Sequence, residues 1–154
     1  MHDYGIFKVV QRDKWTIIEP GDWANVVALT PDGNIVLVRQ YRAGSDCVSI
    51  ELPSGKIDPG EGNEAAAIRE LLEETGYAGT SSYIGRVTPN PAIMNNVMHY
   101  FLVEDAIKVA DQNLDDGEEC DVLVVPYADI KKMIWDGTFH HALSIAAITL
   151  YELS

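Results

Sequence analysis

Residues 55 to 77, GKIDPGEGNEAAAIRELLEETGY, constrain this chain more than any other stretch. The pattern predicts a helix from Asn63 to Thr75 entered through a loop that carries Gly55, Pro59, Gly60 and Gly62. Asn63 is a candidate N-cap, and Gly76 is well placed just past the helix end. At 100° per residue, Glu70, Glu73 and Glu74 share one arc of about 100°. Ala65, Ile68, Leu71, Leu72 and Thr75 fall on the opposite arc, which predicts an apolar side in the core and an acidic side facing outward. Like charges at i, i+3 and i+4 repel by a few tenths of a kcal/mol per pair. A cation between them reverses that sign, and carboxylate oxygens suit hard ions such as Mg2+ or Mn2+. Ala66 and Ala67 flank the acidic arc, so little bulk would block a ligand there. A solvated acidic face is the plain alternative.

The spacing also carries a family resemblance. Gly55, then Glu61, then Arg69-Glu70-Leu71-Leu72-Glu73-Glu74-Thr75-Gly76-Tyr77 resembles the Nudix box, G-x5-E-x7-R-E-U-x-E-E-x-G-U, where U is apolar. Every fixed position is present, and Tyr77 is a mild departure at the last apolar one. The resemblance implies metal-dependent hydrolysis of a nucleoside diphosphate linked to another moiety. It also implies an α/β fold in which a mixed sheet lies between helices. Glu70 and Glu74 would be the principal metal ligands, supported by Glu73, Glu61 and the Ser54 carbonyl. Arg69 would orient the glutamates.

Further stretches, VRQYR (38 to 42), ELPSG (51 to 55), NPAIMNN (90 to 96) and DDGEECDVLVVP (115 to 126), resemble the branch that cleaves ADP-ribose and related nucleoside diphosphate sugars. That resemblance puts Arg42 near the substrate phosphates, a role its permanent planar charge suits. It makes Glu118 the candidate general base, with Glu119 beside it as the fallback. Glu51 would stand by the metal loop, where it could pair with Arg69. Trp23 could stack on a nucleobase, and Met94 and Asn95 could line the pocket. Asn96 shares their loop. His99, His140 and His141 could act as acid or base, although no partner for them is visible and the His140-His141 pair reads as surface structure. Trp15 and Trp135 read as packing. The branch forms homodimers that exchange a longer N-terminal sheet, so a homodimer is expected here, with base recognition changed by the short segment before Trp23.

The remaining chain supplies boundaries. Its 154 residues, 47% hydrophobic, predict one domain, with a short hairpin in residues 1 to 22 and a core in 23 to 154. Strands are predicted at 23 to 30, 35 to 41, 81 to 88 and 97 to 103, a buried strand at CDVLVVP, a loop over 104 to 120, and helices at 127 to 135 and 139 to 153. The formal charge of −13 argues against a nucleic-acid partner. Two cysteines, Cys47 and Cys120, give neither a disulfide framework nor metal-ligand spacing. No apolar run approaches a membrane span, and a cytoplasmic enzyme acting on a small nucleotide sugar is the expectation. The rival readings are a nucleoside triphosphate or dinucleoside polyphosphate hydrolase, and a regulator that binds without catalysis.

Overall fold

The computed structural model describes residues 2–3, 7–114, 117 and 119–154, with only the backbone described for 2–3. Three strands, β1 (His2–Asp3), β2 (Lys8–Arg12) and β3 (Trp15–Glu19), form a small antiparallel sheet. This enlarges the expected hairpin by one strand. The sheet is tied to the later chain where Ile18 N–H donates to the Ile93 carbonyl at 2.8 Å.

The main sheet has seven strands. Its central pair, β4 (Trp23–Leu29) and β9 (Met98–Lys108), is parallel, and the other pairings are antiparallel. The path runs β10 (Asp121–Pro126), β5 (Asn34–Arg42), β4, β9, β8 (Tyr77–Val87), with β6 (Cys47–Glu51) on β5 and β7 (Ser54–Lys56) on β4. Helix α1 (Asn63–Thr75) has the expected bounds. A 3-10 turn at Tyr127–Asp129 leads into α2 (Ile130–Trp135), and α3 (Ala142–Leu153) closes the chain.

Strand alternation sorts the core into two layers. Ala24, Val26 and Ala28 of β4, Val36 of β5, and Phe101 and Val103 of β9 face α1. Val27, Ile35, Leu37, Met98, Tyr100 and Leu102 face the opposite way, toward Ile130 of α2, Phe139, and Ala147 and Ile148 of α3. The sheet therefore lies between helices, as the family resemblance implied. Small residues dominate the α1 side, and Ala66 and Ala67 are fully buried against them.

Here the structure corrects the expected faces of α1. Ile68 and Leu72 are exposed, as is Ala65, whereas Glu74 is 6% exposed. On a helical wheel Ala66, Glu70, Glu74, Ala67, Leu71 and Thr75 follow one another round an arc of about 180°. Glu74 stands within the buried arc instead of opposite it. The alanines let the helix lie close to β4, and that packing outweighs the gain from turning two larger apolar side chains inward.

Other expectations shift too. Gly62, not Asn63, is the N-cap, and it provides no side-chain bond. The predicted loop over 104 to 120 begins later, because β9 continues to Lys108. CDVLVVP is half-buried with Val124 exposed, as befits a strand with its second edge unpaired. Trp15 and Trp135 do not pack, being 60% and 91% exposed. Among the described residues, no helix is long and apolar enough to cross a membrane.

Gly76 ends α1 as expected, at φ 74° with its N–H donating to the Leu72 carbonyl. A Cβ there would lie 2.1 Å from the Ala110 carbonyl oxygen. Gly76→Ala therefore combines a left-handed backbone with a backbone clash. It should cost about 2 kcal/mol or more, read as a melting temperature lower by about 4–8 °C.

Candidate functional site

Three stretches meet along the second half of α1: the loop after β7, the helix itself, and β7. Arg69 is the hub. Its Nε and Nη2 each donate to Glu61 at 2.9 Å, one to each carboxylate oxygen. Its Nη1 donates to Glu70 at 2.8 Å and to Glu73 at 3.0 Å, and Nη2 also reaches the Lys56 carbonyl at 3.1 Å. The five N–H groups of a guanidinium make this possible, and a lysine could not match it. The Glu61 carboxylate first, then those of Glu70 and Glu73, hold the Arg69 guanidinium above its ordinary pKa against the opposing effect of burial. Arg69 in turn holds the Glu61 carboxyl below the usual range.

Glu74 is set differently. Its Oε2 accepts the Ser54 N–H at 2.8 Å, which docks the helix on β7. Gly55 follows Ser54, and a Cβ there would lie 2.0 Å from the Glu70 carboxylate carbon. The missing side chain is what lets Glu70 lie against the loop. The sequence brought Ser54, Glu61, Arg69, Glu70, Glu73 and Glu74 together as a set, and the structure places them so. Arg69 apart, the set offers oxygen ligands from the helix and the stretch before it, which is the chemistry of a hard divalent cation site. Among the described residues, no three acidic, histidine or cysteine side chains stand at metal-holding spacing, and Arg69 engages Glu61, Glu70 and Glu73.

Beside Ser54 opens a cleft of about 510 Å³, whose lining includes Trp23, Arg42, Glu51, Met94, Asn96 and His141. That volume is in the range of small-molecule sites. Glu51 is fully buried and pairs with Arg42, not Arg69: Nε and Nη2 of Arg42 donate to its two oxygens at 2.9 and 2.7 Å. The reason is register. Val38 faces Glu51 and Arg42 faces Cys47, so Arg42 and Glu51 share one face of the β5–β6 ladder, and the long arginine reaches back along it. Burial pushes the Glu51 carboxyl up, but the Arg42 hydrogen bonds, with His141, Arg42 and Ser49 adding to them, hold it below the usual range.

Trp23 and Met94 are half-buried in the cleft lining, as a stacking or packing role requires. Trp23 also packs on the core beneath. Asn95 does not line the cleft. It is exposed, and its amide donates to Glu19 at 2.9 Å. Its neighbour Asn96 lines the cleft instead, 5% exposed, with no partner for Oδ1 among the described residues. Glu118 lies outside the described residues. Glu119 is exposed and lines a separate groove with Arg39, Tyr41 and Asp121.

His141, read from the sequence as surface structure, is instead part of the cleft. It is the N-cap residue of α3, and its Nδ1 lies 2.8 Å from the Ser144 hydroxyl and 3.6 Å from Glu51 Oε2. Ser144 is fully buried and accepts the Leu52 N–H at 3.0 Å. The sequence signal was the i, i+3 spacing of His141 and Ser144 at a helix start. Its significance depends on a contact with Glu51, 90 positions earlier.

Known proteins resemble this chain along most of its length. A model of the NUDIX domain matches residues 20–146. An ADP-ribose pyrophosphatase of Bacillus subtilis (strain 168) is 32% identical over 132 residues, 83% of this chain and 70% of that protein. The ADP compounds hydrolase NudE of Escherichia coli (strain K12) is 26% identical over 147 residues, 95% of this chain and 76% of that one. A crystal structure of an ADP compounds hydrolase superposes with a TM-score of 0.77 at 22% identity, covering 95% of this chain and 89% of the other, which supports the fold.

Replacing Arg42 by Gln removes the main opposition to the burial of Glu51, leaving only His141 and Ser49 against it. In the natural chain the depressed folded pKa makes Glu51 contribute stability above the ordinary carboxylate range and lose it as pH falls. In Arg42→Gln burial raises the folded pKa above the unfolded one, so stability is lost as pH rises instead. Urea melts should show the variant less stable at pH 8 than at pH 5, and destabilised by about 2 kcal/mol or more near neutrality. A variant equally stable at both pH values would contradict the assignment.

Proposed function

The chain belongs to the NUDIX domain family, and on that premise we propose that it hydrolyses the pyrophosphate bond of ADP-ribose or another nucleoside diphosphate sugar. The products are a nucleoside monophosphate and a sugar phosphate. The observation that carries the reading is the placement of a carboxylate-rich loop and helix at one end of a cleft fit for a small molecule, with Ser54 common to both.

Glu70 and Glu74 would hold a divalent cation, Mg2+ or Mn2+, with Glu73, Glu61 and the Ser54 carbonyl in support. Such an ion supplies charge to offset the diphosphate and acidity to a bound water. Arg69 fixes the carboxylates in place without touching substrate. Trp23 and Met94 present apolar surface to base or sugar, and Arg42 with Glu51 forms one polar wall. Glu118, just ahead of β10, is assigned as general base in preference to Glu119, whose side chain faces the other groove. Action in the cytoplasm and as a homodimer accords with this role.

A product screen with Mg2+ and with Mn2+, on ADP-ribose, GDP-mannose, UDP-glucose, diadenosine polyphosphates and dGTP, tests the function. The expected outcome is AMP plus ribose 5-phosphate, or the equivalent pair from another nucleotide sugar. Turnover of triphosphates or polyphosphates alone would reassign the enzyme to the rival class. Within the same assay, Glu74→Gln should raise the Mg2+ concentration for half-activation by about tenfold or more. An unchanged metal titration would remove Glu74 from the ligand set. Glu118→Gln should slow turnover by about 10²- to 10⁴-fold with the metal titration intact. A loss under about threefold would remove the assignment.

A further inference from the structure

His141 is a polar group of the cleft that the proposed chemistry leaves unused. Arg42 is the cleft's arginine, yet both oxygens of buried Glu51 already engage its guanidinium. The pair is close to neutral, so it offers a diphosphate less than a lone arginine would. His141 stands next to it, on the same wall.

The imidazole is held in one orientation. Ser144 accepts the Leu52 N–H, and its hydroxyl meets Nδ1 of His141. A hydroxyl has a single hydrogen. Either the hydroxyl gives that hydrogen to Nδ1 and the ring's proton sits on Nε2, or Nδ1–H donates to the hydroxyl oxygen; in the protonated ring both nitrogens donate. Among the described residues Nε2 has no hydrogen-bond partner. The nearby charges are Glu51 on β6, Arg42 on β5 and His140 beside it in the chain. Burial pushes the His141 imidazole down, Glu51 opposes that, and Arg42 and His140 add to the lowering. Burial thus favours the neutral ring in the free protein, and a proton gained on binding leaves an Nε2–H to offer.

We propose that His141 is a substrate-contacting specificity residue, its Nε2–H donating to a phosphate oxygen of the nucleoside diphosphate sugar on the wall formed by Arg42, Glu51 and the start of α3. The proposal rests on the hydrolase reading above. Helix α3, twelve residues long, begins at Ala142, and Ala142 and Leu143 line the same cleft, so its positive end adds to the attraction. An anion at Nε2 supplies the negative charge that Arg42 and burial withhold. The imidazole then takes up a proton from solvent as substrate binds, and the contact becomes ion to ion.

The kinetic test uses His141→Ala and His141→Gln in the full chain, on whichever nucleotide sugar the wild type turns over. The expected result for alanine is a KM raised about tenfold or more with kcat within about threefold. Glutamine, which returns a donor, should recover part of that loss. Wild-type KM should rise with pH across the imidazole range, and the glutamine variant's should not. A role confined to capping α3 predicts neither the recovery nor the pH dependence.

Because alanine at the cap could impair folding, a second measurement uses the wild type alone. The chain has four histidines, so 15N-labelled imidazoles can be followed individually. A methylene-bridged nucleoside diphosphate sugar, added with Mg2+, should move the His141 resonances toward the protonated form at fixed pH. A static His141 signal with analogue bound, or a KM within twofold of wild type in both variants, overturns the proposal and leaves the hydrolase reading standing. A wild type inert toward every nucleotide sugar overturns that reading, and this proposal with it.

Discussion

Three carboxylates on neighbouring turns of one helix and its entry loop would push apart if left alone. The Arg69 guanidinium prevents this by bonding Glu61, Glu70 and Glu73 at once, and the Lys56 carbonyl as well. Glu61 is eight residues from Arg69, so the contact closes the loop back onto the helix. Lys56 belongs to β7, so the same cation pins the helix to the sheet edge. Exposed ion pairs contribute little, but Arg69 is only 30% exposed and its fork is bidentate to Glu61, where geometry makes such pairs worth more. The loop, the helix and the strand share this one fixed point.

Glu74 supplies a second fixed point of a different kind. A carboxylate buried to 6% exposure needs partners, and the Ser54 N–H is one of them. Two other demands coincide there. Ala66 and Ala67 permit close approach of α1 to β4, and the absence of a side chain at Gly55 makes room for Glu70. A bulkier helix would stand further from the sheet, and the Ser54–Glu74 bond would lengthen beyond use. The packing of small residues and the position of the acidic groups are therefore one constraint, not two.

That coupling explains what the sequence could and could not disclose. Helix bounds were legible from Asn63 to Thr75, because the glycines on either side interrupt the pattern. The strand order was not, since it depends on the parallel pairing of β4 with β9 across more than seventy residues. The faces of α1 were misassigned because carboxylates were treated as seeking water and Ile68 and Leu72 as seeking the core. At a site the rule inverts: acidic groups turn inward and ordinary apolar ones are left outside. The Arg42–Glu51 pair was hidden for a simpler reason. Both residues are plain in the sequence, but only the β5–β6 register puts them on one face. The choice between Asn95 and Asn96 likewise turned on loop orientation, which adjacent identical residues cannot reveal.

A net charge of −13 raises the question of how such a chain would admit a diphosphate. The local arrangement answers it in parts. Arg42 neutralises Glu51 one to one, so that wall of the cleft is close to neutral, whereas Arg69 offsets only one of the three carboxylates it bonds. Neutralisation alone, however, supplies no attraction. On the proposed reading it would come from charge outside the chain's fixed set: a divalent cation on the Glu70 and Glu74 side, and a proton on His141 at the other. Neither is a fixed charge of the chain. A cleft built this way repels no cation when empty and needs no permanent positive patch, which is how an acidic protein can select a phosphate-bearing ligand without also attracting nucleic acid.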